Sequence, residues 1–253
     1  MDQFNKVANI YAESRPVYPA VVFQKIRQYC AKDKLEVVVD LACGSGQSLE
    51  GLNTFSKKLF GIEPGKNLRE EAKKKYPYVD ILDGSGEKIP MPENSTDLIT
   101  IANAFYWMDR NIALGEISRV LKPAGSLVLY RYLFPRLENI DANTFLNDQC
   151  SKFWDTYRDE RLTKKDDSAE IILETGYFSE LKKEVVPYIW EISVSNFVSF
   201  LSSTSYVSKY LESLSENSKK EYSAYFAKEI NQAYPSGLVP VILDIHMIFT
   251  CKI

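Results

Sequence analysis

Imidazole is almost missing from this chain. His246 is the one histidine, and the alternation of the last apolar segment gives it a structural place, so a histidine base is scarce by composition. Cysteine is sparse too. Cys30, Cys43, Cys150 and Cys251 are scattered without metal-ligand spacing, and they read as reduced thiols of a cytoplasmic protein. No apolar run reaches the roughly 20 residues that span a bilayer, and Met1–Lys6 has no apolar signal core. Charge of one sign is also lacking. A net charge of −3 and a pI near 5.5 argue against nucleic acid as the main partner, which needs a concentrated basic face. Lys73-Lys74-Lys75 reads as a solvated helix surface. Internal repeats and low-complexity stretches are absent. Hydrophobic residues at 45% and charged residues at 26% are ordinary for a soluble globular protein.

The most informative stretch is Val37-Val38-Val39-Asp40-Leu41-Ala42-Cys43-Gly44-Ser45-Gly46. It reads as a buried strand, an acid, a small-residue turn and the start of a helix. Two glycines one residue apart let backbone approach a ligand closely, because glycine lacks a Cβ and tolerates positive φ. Glu63 ends the next apolar run about 20 residues on, the spacing at which an acid meets a ribose in dinucleotide folds.

The first half alternates strands and helices. Strands are predicted at Leu35–Leu41, Lys58–Ile62, Val79–Asp83, Asp97–Ala102 and Ser126–Tyr130, with helices at about 45–55, 67–75 and 112–121. This predicts an α/β fold with a doubly wound parallel sheet. In the second half, residues 139–180 look helical and charged. Lys183–Ser193 reads as one strand, Ser195–Leu214 and Lys219–Ala233 as helices, and Val239–Ile253 as a final strand. The expected organisation is one domain over 1–253. An N-terminal lid and helix occupy 1–30, the cofactor core 35–131, helical cap elements and a late strand 135–235, and the last strand 239–253.

Asp40-Leu41-Ala42-Cys43-Gly44-Ser45-Gly46 resembles motif I of the class I methyltransferases that use S-adenosylmethionine (SAM). Gly61-Ile62-Glu63-Pro64, Gly84-Ser85-Gly86-Glu87-Lys88-Ile89-Pro90-Met91 and Leu121-Lys122-Pro123-Ala124-Gly125 resemble later motifs of that family. A narrower resemblance, to trans-aconitate methyltransferase-like proteins, rests on Tyr11-Ala12-Glu13-Ser14-Arg15-Pro16-Val17-Tyr18-Pro19 and on Ala104-Phe105-Tyr106-Trp107-Met108-Asp109. The resemblance implies a Rossmann-like seven-stranded sheet with a helical cap formed by the C-terminal half. It implies SAM as cofactor, S-adenosylhomocysteine (SAH) as product and a small-molecule acceptor.

The resemblance implies cofactor contacts from Tyr11, Asp40, Ala42, Gly44, Gly46, Glu63, Pro64, Leu68, Ser85, Gly86, Glu87, Asn103 and Ala104. Arg15, Tyr106, Trp107, Arg131 and Tyr206 are the acceptor-side candidates. Glu63 can accept both ribose hydroxyls. Asp40 orients the loop, reaches the ligand through water, or caps the following helix. Two positions depart from the family: Ser85 where an acid is usual, and Tyr106 where histidine is frequent. No residue is assigned a catalytic role. A carboxylate acceptor, ionised at neutral pH, needs alignment rather than a base, and arginine grips it with two parallel bonds. The other readings are a catalytically silent relative and a nicotinamide dehydrogenase. Against the second, no glycine follows Gly46 three residues on.

Overall fold

A computed structural model describes residues 14–163 and 166–253. A helix, α1 (Ala20–Cys30), starts directly after Pro19 and stops at Ala31, whose left-handed backbone ends the helical path. Then come β1 (Leu35–Leu41), α2 (Leu49–Asn53), β2 (Ser56–Ile62), α3 (Lys66–Lys75), β3 (Asp80–Leu82), β4 (Thr96–Ala102), α4 (Arg110–Val120) and β5 (Leu121–Tyr132). The Asp109 carboxylate accepts from the Ile112 amide at 3.2 Å and caps α4. These strands carry apolar runs buried on both faces, the signature of a parallel sheet covered by helices.

Seven strands lie in the order β3-β2-β1-β4-β5-β10-β7, where β7 is Lys182–Val186 and β10 is Ile245–Cys251. The pairs β3·β2, β2·β1, β1·β4 and β4·β5 are parallel; β10 runs antiparallel to both of its neighbours. On one face, Val22, Phe23 and Ile26 of α1 meet Leu49, Leu52 and Ala72 from α2 and α3. On the other, Ala113, Leu114, Ile117 and Val120 of α4 pack with Ile172 from a helix of the second half. Strand order reverses between β1 and β4, which places a ligand crevice at their carboxyl ends.

The second half departs from the pattern in its apolar runs. Lys183–Ser193 is two strands in two sheets, β7 and β8 (Ile189–Ser193), interrupted at Pro187-Tyr188. Val239–Ile253 is likewise two, β9 (Leu238–Ile242) and β10. With β6 (Arg136–Leu137), β9 and β8 form a separate three-stranded antiparallel sheet. Helices α5 (Ile140–Gln149), α6 (Glu160–Thr163), α8 (Val194–Ser202), α9 (Ser205–Glu212) and α10 (Glu216–Ala233) build the rest of the cap. Its core joins Leu146, Trp154, Phe197, Phe200 and Phe226 to Val239 and Val241 of β9. So the cap has a sheet of its own and extends to Ile242 rather than ending at 235. The stretch read as the helix Ser195–Leu214 is broken at Ser203-Thr204, whose hydroxyls bond back to Phe200 and Leu201 carbonyls and end α8. Helix α7 (Ser168–Glu174) packs against α4 and the main sheet, not in the cap. Among the described residues, no helix is long and apolar enough to cross a membrane.

Candidate active site

Between the sheet edge and the cap lies a cavity of about 380 Å³, within the size range of small-molecule sites. Its floor is the carboxyl edge of four adjacent strands. After β1 come Ala42 and Gly44, after β2 Glu63, at the end of β4 Ala102 and Asn103, and from β5 Arg131 and Tyr132. The short turn Phe105–Trp107 supplies Tyr106 and Trp107. The cap contributes Phe134, Arg158, Leu162, Phe200, Thr204, Ser205 and Tyr206.

Backbone geometry at the rim is unusual. Ala42 and Asn103, each just beyond a strand, hold φ of 57° and 51°, and Gly44 follows at 57°. For residues with a Cβ this left-handed region costs roughly 1–3 kcal/mol and gathers at functional sites. The turn lets the Gly44 amide donate to Glu63 Oε2 at 3.0 Å, while the Gly65 amide donates to Oε1 at 2.7 Å. Burial pushes the Glu63 carboxyl above its ordinary value; the Gly65 and Gly44 amides and the Arg69 guanidinium pull it back. Each carboxylate oxygen keeps a further lone pair. Leu68, 5% exposed, adds an apolar wall beside it.

The opposite end is cationic and aromatic. Arg15 donates to the Tyr132 hydroxyl at 3.0 Å and the Ser203 carbonyl at 2.9 Å, and lies over the Phe200 ring. Arg131 pairs with Asp166 at 3.0 Å. Arg158 pairs with Asp155 at 2.8 Å, donates to Cys150 Sγ at 2.9 Å, and stacks its guanidinium 4.5 Å from the Tyr206 ring centre. The Nε of Arg131 and the Nε of Arg158 are buried and make no hydrogen bond among the described residues, a deficit worth about 1–3 kcal/mol each. No lysine or histidine lines the cavity among the described residues. The Tyr206 phenol is pushed well up, chiefly by burial, so it stays protonated at neutral pH.

Eleven of the eighteen residues singled out in the sequence line this cavity: Ala42, Gly44, Glu63, Leu68, Asn103, Ala104, Arg15, Tyr106, Trp107, Arg131 and Tyr206. Tyr11 lies outside the described residues. The remaining six are away from the wall. Asp40, 1% exposed, turns into the sheet, where its Oδ1 accepts from the Thr100 hydroxyl at 2.8 Å; it does not cap α2. Burial first, and then the Glu63 charge, raise its carboxyl from 3.8 to about 7, against the Thr100 bond, which lowers it. Gly46, at φ 93°, faces the Tyr76 ring. The Pro64 carbonyl is taken by Arg69. Ser85 closes a tight turn with reciprocal backbone bonds to Lys88. A Cβ on Gly86 would lie 2.5 Å from Met108 Sδ, and Glu87 accepts from the Asp109 amide at 2.8 Å. Gly86 and Glu87 thus brace the turn carrying Met108, a wall residue. Sequence reasoning missed Met108, Tyr132, Phe134, Phe200 and above all Arg158. Its setting, Asp155-Thr156-Tyr157-Arg158-Asp159-Glu160-Arg161, reads as a solvated charged stretch and carries no signal of a cavity.

Residues 39–129 match the family model described as a methyltransferase domain. Over these residues the chain is similar to methyltransferase domains. A Dictyostelium discoideum protein named as a methyltransferase is 32% identical over 138 residues, covering 54% of this chain and 52% of that protein. An uncharacterized methyltransferase of Schizosaccharomyces pombe is 27% identical over 202 residues, covering 79% of this chain and 77% of that one. Apart from that relative, the chain spans about half the length of the first curated relatives it matches. A solved structure described as a type II methyltransferase from Anaeromyxobacter dehalogenans shares the fold with a TM-score of 0.69 at 20% identity, covering 94% of this chain and 96% of that chain. The matched residues thus run from within β1 to within β5, and the cap lies beyond them.

Proposed function

We propose that the protein transfers a methyl group from SAM to a small-molecule acceptor, a carboxylate. One observation carries the reading: a single cavity joins the glycine turn and Glu63 at one end to Arg131 and the aromatic cap at the other. The residues present fit the cofactor. Glu63 has lone pairs to spare for a ribose diol, Gly44 brings backbone close, and Leu68 offers an apolar face to adenine. SAM supplies a methyl group on a sulfonium, and transfer forms the acceptor's O–C bond, breaks C–S and leaves neutral SAH.

The chain's own part is orientation. An ionised carboxylate has no proton to lose, which matches a wall without lysine or histidine among the described residues. Arg131 holds the acceptor beside Asn103 and Ala104 at the sheet edge. Alignment of nucleophile and methyl group is worth roughly 7–11 kcal/mol of effective concentration. Tyr106 and Trp107, with ring centres 5.2 Å apart, shield this region from water and offer π faces to a cation. A net charge of −3 favours a small molecule over nucleic acid.

The test is calorimetry of SAM and SAH on the purified protein and on Glu63→Gln. Micromolar binding of both ligands, weakened at least tenfold by Glu63→Gln, supports the reading. A folded wild type that binds neither sinks it and leaves a silent relative.

A further inference from the structure

Arg69 is a cation out of place. Helix α3 exposes Lys66, Lys73, Lys74 and Lys75, yet the Arg69 side chain is only 12% exposed. It also stands toward the amino end of α3, where the helix dipole disfavours positive charge. Its bonds explain the placement. A single nitrogen, Nη1, donates to the Glu63 carbonyl at 2.8 Å, to the Pro64 carbonyl at 2.7 Å and to Asp83 Oδ1 at 2.9 Å. Nη1 carries two hydrogens, so one of the three bonds is shared. The Asp83 side chain is 74% exposed, and an ion pair open to water contributes little. The two carbonyls are the more telling partners, because they belong to buried Glu63 and to the residue after it.

Those carbonyls open the turn Glu63-Pro64-Gly65 that leads from β2 into α3. The Gly65 amide in that turn donates to Glu63 Oε1 at 2.7 Å, and the Gly44 amide donates to Oε2 at 3.0 Å. The turn has little else to set its shape: Gly65 begins α3 with no side-chain cap, and glycine is the residue with the most backbone freedom to lose. On the other side, the Glu63 amide donates to the Leu82 carbonyl of β3 at 3.2 Å, and Asp83 follows directly. Arg69 thus stitches the carboxyl ends of β2 and β3 together. Resting on the methyltransferase reading above, we propose that Arg69 is the positioning residue for the ribose-binding carboxylate: it fixes the 63–65 turn so that Glu63 turns its remaining lone pairs to the ribose diol. Arg69 is not part of the cavity wall, so it acts through Glu63. A rigid planar guanidinium suits the task, because it holds two neighbouring carbonyls from one side without a hinge. A lone pair aimed wrongly forms no bond to the diol, whatever the charge on the carboxylate.

The experiment is a double-mutant cycle read by calorimetric titration of the full chain with SAH. The proteins are the wild type, Arg69→Gln, Glu63→Gln, the double variant and Asp83→Asn. Arg69→Gln should weaken SAH by about tenfold. In the Glu63→Gln background the same change should do almost nothing, leaving the double variant within about twofold of Glu63→Gln alone. Asp83→Asn should stay within about twofold of the wild type, because the exposed ion pair is not the working part. A merely structural arginine would weaken SAH equally with and without Glu63, so additive losses overturn the proposal. Unchanged SAH affinity in Arg69→Gln overturns it too, as does an Asp83→Asn loss that matches the Arg69→Gln loss. Should Arg69→Gln not fold, Arg69→Lys enters the same cycle. It keeps the charge but not the planar donor, so it should weaken SAH by about threefold, again only where Glu63 is present. A folded wild type that binds no SAH defeats the methyltransferase reading and this inference with it. SAH binding that depends on Glu63 but not on Arg69 defeats the inference alone.

Discussion

Asp40→Asn should make the protein more stable, and increasingly so as pH rises. Asp40 sits on β1 just before the Ala42–Gly44 turn, 1% exposed, with the Thr100 hydroxyl donating to its Oδ1 at 2.8 Å. Burial raises its carboxyl from 3.8 to about 7, with the nearby Glu63 charge adding to the rise. The folded state therefore holds a proton that the unfolded chain releases near pH 4. The stability this proton confers is full below pH 3.8 and is lost progressively as pH climbs to about 7. A rise of this size amounts to about 4 kcal/mol. Asparagine has the same shape, still accepts from Thr100 and never ionises, so it escapes that loss. It forfeits about 1 kcal/mol of hydrogen bonding. Urea unfolding of both proteins at pH 5.0 and 8.5, followed by circular dichroism, should show the gap in favour of Asp40→Asn widening by about 2–3 kcal/mol between the two conditions. Every other titrating group is common to both proteins and cancels. A gap that is the same at both pH values refutes the argument, because Asp40 would then be ionised throughout.

Two further substitutions test the framework. Gly46→Ala places a Cβ 2.6 Å from the Tyr76 ring and 2.9 Å from Leu49 Cδ1, at a φ of 93°; strain and overlap together should cost about 2–4 kcal/mol, and an unchanged melting temperature would contradict the turn geometry. Asn139→Ala removes the side-chain acceptor that takes the Ala142 amide at 2.9 Å and caps α5; denaturant unfolding should show a loss of about 1 kcal/mol, with a neutral outcome meaning that solvent replaces the cap.

The parallel half of the fold was legible because each of its strands is a short apolar run closed by turn residues. Val37–Leu41, with Asp40 and two glycines beyond it, announced a strand and a tight turn, and Glu63 meets that turn. The cavity wall confirms Gly44 and Glu63 as neighbours, joined by a hydrogen bond. Asp40 was harder. A single chain of letters shows an acid at a strand end, not which way alternation turns it, and here it turns into the sheet. Ser85 and Glu87 carried a family pattern, yet their bonds hold a turn rather than face the cavity. The break at Pro187-Tyr188 escaped because the apolar residues on either side continue a strand-like pattern while serving two different sheets. Arg158 was invisible for a different reason: its role comes from Tyr206 and Phe134, which lie 48 residues after it and 24 before it, and no local pattern encodes such a meeting.

The cap is threaded into the sheet rather than hung from it. The chain leaves after β5, leaves again between β7 and β8, and comes back between β9 and β10. These crossings adjoin one another: the Leu243 amide donates to the Tyr188 carbonyl at 2.8 Å, and Arg136 pairs with Asp244 at 2.6 Å. A protein engineer who wished to graft another cap onto β1–β5 would therefore have to exchange two separate stretches, roughly 133–163 and 187–244, in concert. Neither stretch alone closes the three-stranded sheet, since β6 belongs to the first and β8 and β9 to the second. The cap is thus inherited as a matched pair of inserts, and a chimaera that swaps only one should lose the cap's packing.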